Sequence, residues 1–135
     1  MRSLIVEDDF SSRAFLQKFL SRYGECDIAV DGEEAVNAFC QATRSGQPYG
    51  LICMDIRLPG IDGIEAVRRI REIEEENGVL STWGVRILMT TGTGNPDTVV
   101  DSFQALCDGY YVKPIDISIF QNELRRLGMI PPQGS

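Results

Sequence analysis

No histidine occurs in the 135 residues of this chain. That absence excludes histidine acid–base catalysis, histidine metal sites and a phosphohistidine carried on the chain itself. No apolar run approaches the ~20 residues of a membrane-spanning helix. The opening MRSLIVEDDF reaches an acidic cluster too early to serve as a signal peptide. The four cysteines, Cys26, Cys40, Cys53 and Cys107, form no C-x-x-C pair, and each sits in an apolar pattern. They read as reduced, buried thiols of a cytoplasmic protein. Positive charge is scarce: Lys and Arg total 13 against 20 Asp and Glu, a net charge of -7. Phosphates are repelled by such a molecule, so direct binding of nucleic acid or of an anionic membrane is not expected. Repeats, low-complexity segments and linkers are also missing.

What is present is an ordinary globular mixture, 43% hydrophobic and 24% charged. One domain is expected at this length, with roughly two-thirds of the chain's surface buried on folding. Short apolar runs alternate with segments of helical period. Residues 4–6 form the first run. Phe15, Leu16, Phe19, Leu20 and Tyr23 then recur at helical spacing up to Gly24. Residues 26–30 make a second strand, and Asp31 with Glu34 resembles a capping box before Ala35, Val36, Phe39 and Cys40. Residues 51–54 are a third run, followed by turn signals at Leu58-Pro59-Gly60 and Asp62-Gly63.

The next helix carries Ile64, Val67, Ile70 and Ile73 on one face. Its other face offers Glu65/Arg69, Arg68/Glu72 and Arg71/Glu75 as i,i+4 ion pairs. Residues 77–84 read as a loop and 85–89 as the fourth strand. Asn95-Pro96 caps a helix with an apolar stripe of Val99, Val100, Phe103 and Leu106. Residues 110–112 form the fifth strand, and Asp116 caps a last helix containing Phe120, Leu124 and Leu127. Five β units alternating with five α units specify a doubly wound α/β domain with a parallel sheet. The wholly apolar first and third strands fit a sheet covered on both faces.

The polar residues fall where strands stop. Glu7-Asp8-Asp9 follows the first strand, Asp55 the third, Thr90-Thr91 the fourth and Lys113-Pro114 the fifth. In an open parallel sheet these ends share one edge, where ligands bind. Clustered carboxylates repel one another unless a cation joins them. Oxygen ligands without His or Cys suit Mg2+, with Mn2+ as the alternative. A hard cation, an ammonium at Lys113 and a hydroxyl at Thr91 are what a phosphoryl group requires, which makes Asp55 the natural nucleophile.

In this order and at these spacings the landmarks resemble the receiver domain of bacterial two-component response regulators. They are Leu4-Ile5-Val6-Glu7-Asp8-Asp9, Met54-Asp55-Ile56-Arg57-Leu58-Pro59-Gly60 with Asp62-Gly63, Leu88-Met89-Thr90-Thr91-Gly92, and Tyr110-Tyr111-Val112-Lys113-Pro114. The resemblance covers residues 1–128, leaving 129–135 as a short tail. It implies a flavodoxin-like fold with strand order 2-1-3-4-5. It also implies that Asp55 is the phospho-acceptor and that Glu7 and Asp8 are the acidic pair, since Arg13 stands five residues beyond Asp8. By the same resemblance Asp8, Asp55 and the backbone carbonyl of Arg57 would bind Mg2+ directly, and Glu7 through water. Lys113 would hold the phosphoryl group, and Thr91 and Tyr110 would switch. Pro114 would follow a cis peptide bond. The implied donor is a histidine kinase or phosphotransfer protein. The implied output, an effector protein or a second copy of the chain, engages the fourth helix, fifth strand and fifth helix.

Gly92 stands where the family often has Ala, Arg57 and Thr93 occupy positions that tune phosphate lifetime, and residues 74–84 are longer than usual. The chain is expected to act as a phosphorylated switch that catalyses only its own phosphorylation and dephosphorylation. With no output domain after Gly128, a stand-alone protein is the expectation, a fragment of a larger regulator the alternative. Two other functions fit less well. An aspartate-nucleophile phosphatase of the haloacid-dehalogenase type needs a second Asp where Arg57 stands. A flavodoxin needs a Ser/Thr/Gly-rich phosphate loop where Glu7-Asp8-Asp9 stands.

Overall fold

A computed structural model describes residues 1–80, 83–92 and 95–132. Strands β1 (Ser3–Val6), β2 (Cys26–Ala29), β3 (Leu51–Asp55), β4 (Arg86–Thr91) and β5 (Gly109–Val112) alternate with helices α1 (Phe10–Leu20), α2 (Gly32–Arg44), α3 (Gly63–Glu76), α4 (Pro96–Gln104) and α5 (Ile117–Arg126). The sheet is parallel throughout, in the order β2-β1-β3-β4-β5, the flavodoxin-like arrangement expected. Alternation along the strands divides the core in two. Leu4, Val6, Ile52, Met54, Ile87 and Met89 face α2 and α3. Ile5, Leu51, Cys53 and Leu88 face α1 and α5. Phe120 anchors the second layer, with its ring edge-on to Phe19 and Tyr111, each 5.7 Å away.

Short polar side chains start every helix. Asp9, Asp31, Asp62, Asn95 and Asp116 each accept a bond from an amide in the first turn that has no partner inside the helix. Three expectations need correction. Helix α1 ends at Leu20, short of Tyr23 and Gly24, and Phe15 lies exposed outside the core formed by Leu16, Phe19 and Leu20. Strand β4 continues through Thr90 and Thr91, because these residues pair in register with Tyr111 and Val112. The apolar stripe of α4 is not core: Val100, Phe103 and Leu106 are exposed, and Ser102 is the helix's buried residue. Helix α4 packs mainly on the edge strand β5, so only part of it finds cover. All four cysteines are free; Cys53 and Cys107 are buried, Cys26 and Cys40 half-buried. Burial raises the thiol pKa of Cys107 to about 11. The expectation for Thr93, and part of those for the loop before β4 and for the tail, lie outside the described residues.

Candidate functional site

The carboxyl edge of the sheet assembles the predicted residues from four strands. Strand β1 is covered on both sides and delivers Glu7 into the interior, where it is 1% exposed. Asp8, one residue later, is exposed. Asp55 closes β3 and is 5% exposed. One carboxylate oxygen from each of Glu7, Asp8 and Asp55 lies within 4.8 Å of the other two. Asp9 is turned away: its side chain accepts from the Ser12 amide at 2.9 Å and caps α1. That bond holds its carboxyl below the ordinary range. The three consecutive acids are thereby divided into two that face Asp55 and one that builds a helix.

Lys113 closes the cluster from β5. Its Nζ donates to Glu7 Oε2 at 2.6 Å and to Asp55 Oδ2 at 3.2 Å, and the Lys113–Pro114 bond is cis. The Lys113 amide donates to the Thr91 carbonyl at 2.7 Å, which fixes the end of β5 against the end of β4. Burial pushes Glu7 up to about 7, and its contact with Asp55 adds to the effect. The bond from Lys113 opposes the rise without cancelling it. Burial would by itself lower the Lys113 ammonium, but the hydrogen bond to Glu7 and the charges of Asp55 and Glu7 raise it. One ammonium therefore serves several carboxyls, and the set is short of positive charge.

Backbone contacts hold the cradle. The Arg57 amide donates to Asp55 Oδ1 at 3.3 Å, and the Ile56 amide to the Thr90 carbonyl at 3.0 Å. The Asp9 amide donates to Glu7 Oε1 at 3.1 Å. Thr91 is buried at the end of β4. In the β4–β5 register Met89 lies beside Tyr110 and Thr91 beside Val112, so Thr91 and Tyr110 share one face of the sheet. Tyr110 is half-buried against the core on that face.

Two contributions go beyond the sequence reading, which uses Arg13 only to place the acidic pair. Arg13 donates to the Glu7 carbonyl at 3.2 Å, gripping the backbone of the acidic turn. In the sequence Gly63 is a turn signal and a landmark of the resemblance, with no contact to the site implied. Its amide donates to the Ile56 carbonyl at 2.8 Å, and a Cβ there would overlap the Asp55 carbonyl. The signal available was a glycine directly after a helix-capping aspartate, which marks a close backbone approach.

Oxygen donors on one cramped edge, two of them buried, fit a hard divalent cation bound by few carboxylates. A family model described as the response regulator receiver domain matches residues 3–125. The chain belongs to this receiver-domain family. Among curated relatives of the receiver domain is the two-component response regulator 24 of Arabidopsis thaliana. It is 31% identical over 128 residues, covering 94% of this chain and 84% of the relative. Other relatives are longer, and this chain spans about half of their length or less. Among solved structures, a receiver domain of a Saccharomyces cerevisiae response regulator, crystallised with a histidine phosphotransfer signalling protein, matches with a TM-score of 0.79 and 30% identity. That match covers 95% of this chain and 88% of the other. The receiver domain of an Arabidopsis thaliana histidine kinase, complexed with Mg2+ and beryllofluoride, matches with a TM-score of 0.75 and 27% identity, again covering 95% and 88%. No helix among the described residues is long and apolar enough to cross a membrane.

Proposed function

We propose that this receiver domain is a cytoplasmic phospho-accepting switch and that Asp55 carries the phosphoryl group. The observation that supports this most directly is the position of Asp55: buried at a strand end, its two oxygens held by the Arg57 amide and the Lys113 ammonium, with Glu7 and Asp8 alongside. Asp8, Asp55 and the Arg57 carbonyl would hold Mg2+, or Mn2+ in its place, with Glu7 acting through water. When bound, the cation neutralises charge on the phosphoryl oxygens.

The donor is a phosphohistidine on a histidine kinase or phosphotransfer protein, since this chain has no histidine. A carboxylate oxygen of Asp55 attacks phosphorus. The new O–P bond forms as the P–N bond breaks, and the imidazole leaves with the bonding pair and takes up a proton. Lys113 moves from sharing Glu7 and Asp55 to holding a phosphoryl oxygen, and Thr91 donates its hydroxyl to another. Water later cleaves the acyl phosphate, so the chain acts only on itself. Residues 1–128 are the signalling unit expected, but the unit extends at least to Ile130, which is buried in the core layer with Phe120 and Leu124.

Phosphorylation adds nearly two negative charges and three acceptor oxygens. As Thr91 moves toward them, Tyr110 on the same face follows inward, and the α4–β5–α5 surface changes its packing. That surface would engage an effector protein or a second copy of this chain. The exposed Val100, Phe103, Val112 and Ile119 support this reading. Intact-mass analysis after acetyl phosphate and Mg2+ tests the site: one phosphoryl group should be added to the wild type and none to Asp55→Asn. Equal labelling of the Asn variant would remove Asp55 from the role.

A further inference from the structure

Helix α3 spends its cations differently from the way its sequence suggests. The i,i+4 spacing offers Arg68 to Glu72 and Arg71 to Glu75. In the fold Arg68 lies 3.5 Å from Glu65 instead. Arg71 is buried and reaches inward, to Glu74 at 2.7 Å and Asp108 at 3.0 Å. Exposed Glu72, Glu75 and Glu76 are left with no ion pair among the described residues. They crowd the C-terminal end of the helix, where the backbone dipole is also negative and no basic residue stands in the last turn.

Beside them runs a groove of about 410 Å3 between α3 and the turn after α4. Glu72 and Glu75 line it together with Arg68 and Arg71, whose charges are already met by Glu65 and by Glu74 and Asp108, and Val79, Leu80, Ala105 and Leu106 are its apolar lining. Leu80 is 68% and Leu106 49% exposed. The groove's walls are fixed to each other. Arg71 Nε donates to the Leu106 carbonyl at 2.9 Å, which helps hold that residue at a φ of 74° that leucine seldom adopts. The groove lies at the end of the sheet opposite Asp55, where the chain enters β5.

We propose that this groove docks a cationic amphipathic segment of a partner protein, and that it does so whether or not Asp55 is phosphorylated. Large apolar side chains fit the lining, and Lys or Arg beside them meet carboxylates that have no ion pair among the described residues. A second copy, itself at a net charge of -7, is repelled, as is nucleic acid. Independence from phosphorylation follows from the Arg71 clamp, which ties α3 to the α4–β5 turn away from the switching residues. That independence alone rests on the function proposed above.

The probe is a synthetic helical peptide with leucines at i, i+4 and i+7 flanked by lysines. Controls replace every lysine with glutamate, or scramble the order. Trp83, the single tryptophan, shares a cavity with Val79 and reports binding by fluorescence. Amide shifts map the site. The lysine peptide should shift Val79, Leu80 and Leu106. Leu80→Ser, and separately Glu72→Gln with Glu75→Gln, should weaken binding about ten-fold. Glu33→Gln with Glu34→Gln, on the distant α2, should leave it unchanged. Beryllofluoride with Mg2+ should change affinity by less than about two-fold. Equal binding of the glutamate or scrambled peptide, or unaltered binding by the groove variants, overturns the proposal. So does self-association in sedimentation that Leu80→Ser abolishes, since the occupant is then a second copy. Loss of labelling at Asp55 with peptide binding intact refutes the switch and leaves the docking site standing.

Discussion

Replacing Glu7 by glutamine should stabilise the metal-free protein at alkaline pH while weakening its response to Mg2+. Glu7 is almost fully buried and its carboxyl is raised from 4.5 to about 7. Between those values the folded chain holds a proton that the unfolded chain has released, so stability falls as pH rises through that window. The contribution is fully present below 4.5, declines up to about 7, and is absent above it. At about 1.4 kcal/mol per pH unit, the interval amounts to roughly 3 kcal/mol. Glutamine cannot ionise and therefore removes this decline. The value of about 7 already includes the opposing bond from Lys113 at 2.6 Å, so the gain near pH 8 is that of the interval, roughly 2–3 kcal/mol.

Urea unfolding followed by far-ultraviolet circular dichroism, in chelator, from about pH 5 to about pH 8, measures the difference directly. Subtracting the variant from the wild type isolates Glu7 from the other titrating groups. Saturating Mg2+ should then raise the wild type well above its metal-free stability at the upper pH, and raise Glu7→Gln by less. A variant that is less stable than the wild type near pH 8 and keeps the same pH slope would refute the reasoning. The buried carboxyl would then be stabilising the fold, and its charge would not be a cost accepted for binding a cation.

Asp8→Ala should weaken Mg2+ binding more than Asp9→Ala in a metal titration, because Asp8 faces Asp55 and Asp9 does not; the reverse order would shift the acidic pair by one residue. Asp9→Ala should instead cost about 1 kcal/mol of stability through the lost helix cap, measured by chemical denaturation. Lys113→Ala should lower the yield of phosphorylated Asp55 at fixed acetyl phosphate while leaving the far-ultraviolet spectrum native, read by intact mass. Arg71→Met should cost about 3–5 kcal/mol, since it strands Glu74 and the carbonyls of Val85 and Leu106 without their donor; a loss below about 1 kcal/mol would mean water replaces the guanidinium. Amide exchange with and without beryllofluoride and Mg2+ should change protection across α4 and β5, and changes confined to the Asp8 and Asp55 loops would mean that the site binds without switching that face.

The order of elements, the helix starts and the carboxyl-edge cluster were legible in the sequence because each rests on local chemistry. Short polar caps stand before every helix, apolar runs mark covered strands, and a parallel sheet sends every strand end to one edge. That edge is why Glu7, Asp8, Asp55, Thr91 and Lys113 could be grouped before any distance was known. Local pattern failed wherever the partner comes from elsewhere in the chain. Helix α4 has a helical apolar stripe, yet it sits at the edge of the sheet and leaves much of that stripe exposed. Arg71 reads as a solvated partner of Glu75, yet burial turns it toward Glu74 and Asp108, and Asp108 lies 37 residues away. The resemblance picks Glu7 and Asp8 out of three adjacent acids, but the role of Asp9 as the cap of α1 needed the tertiary structure. Sequence fixes the chain order of those acids, but only the turn after β1 decides which carboxylates face Asp55.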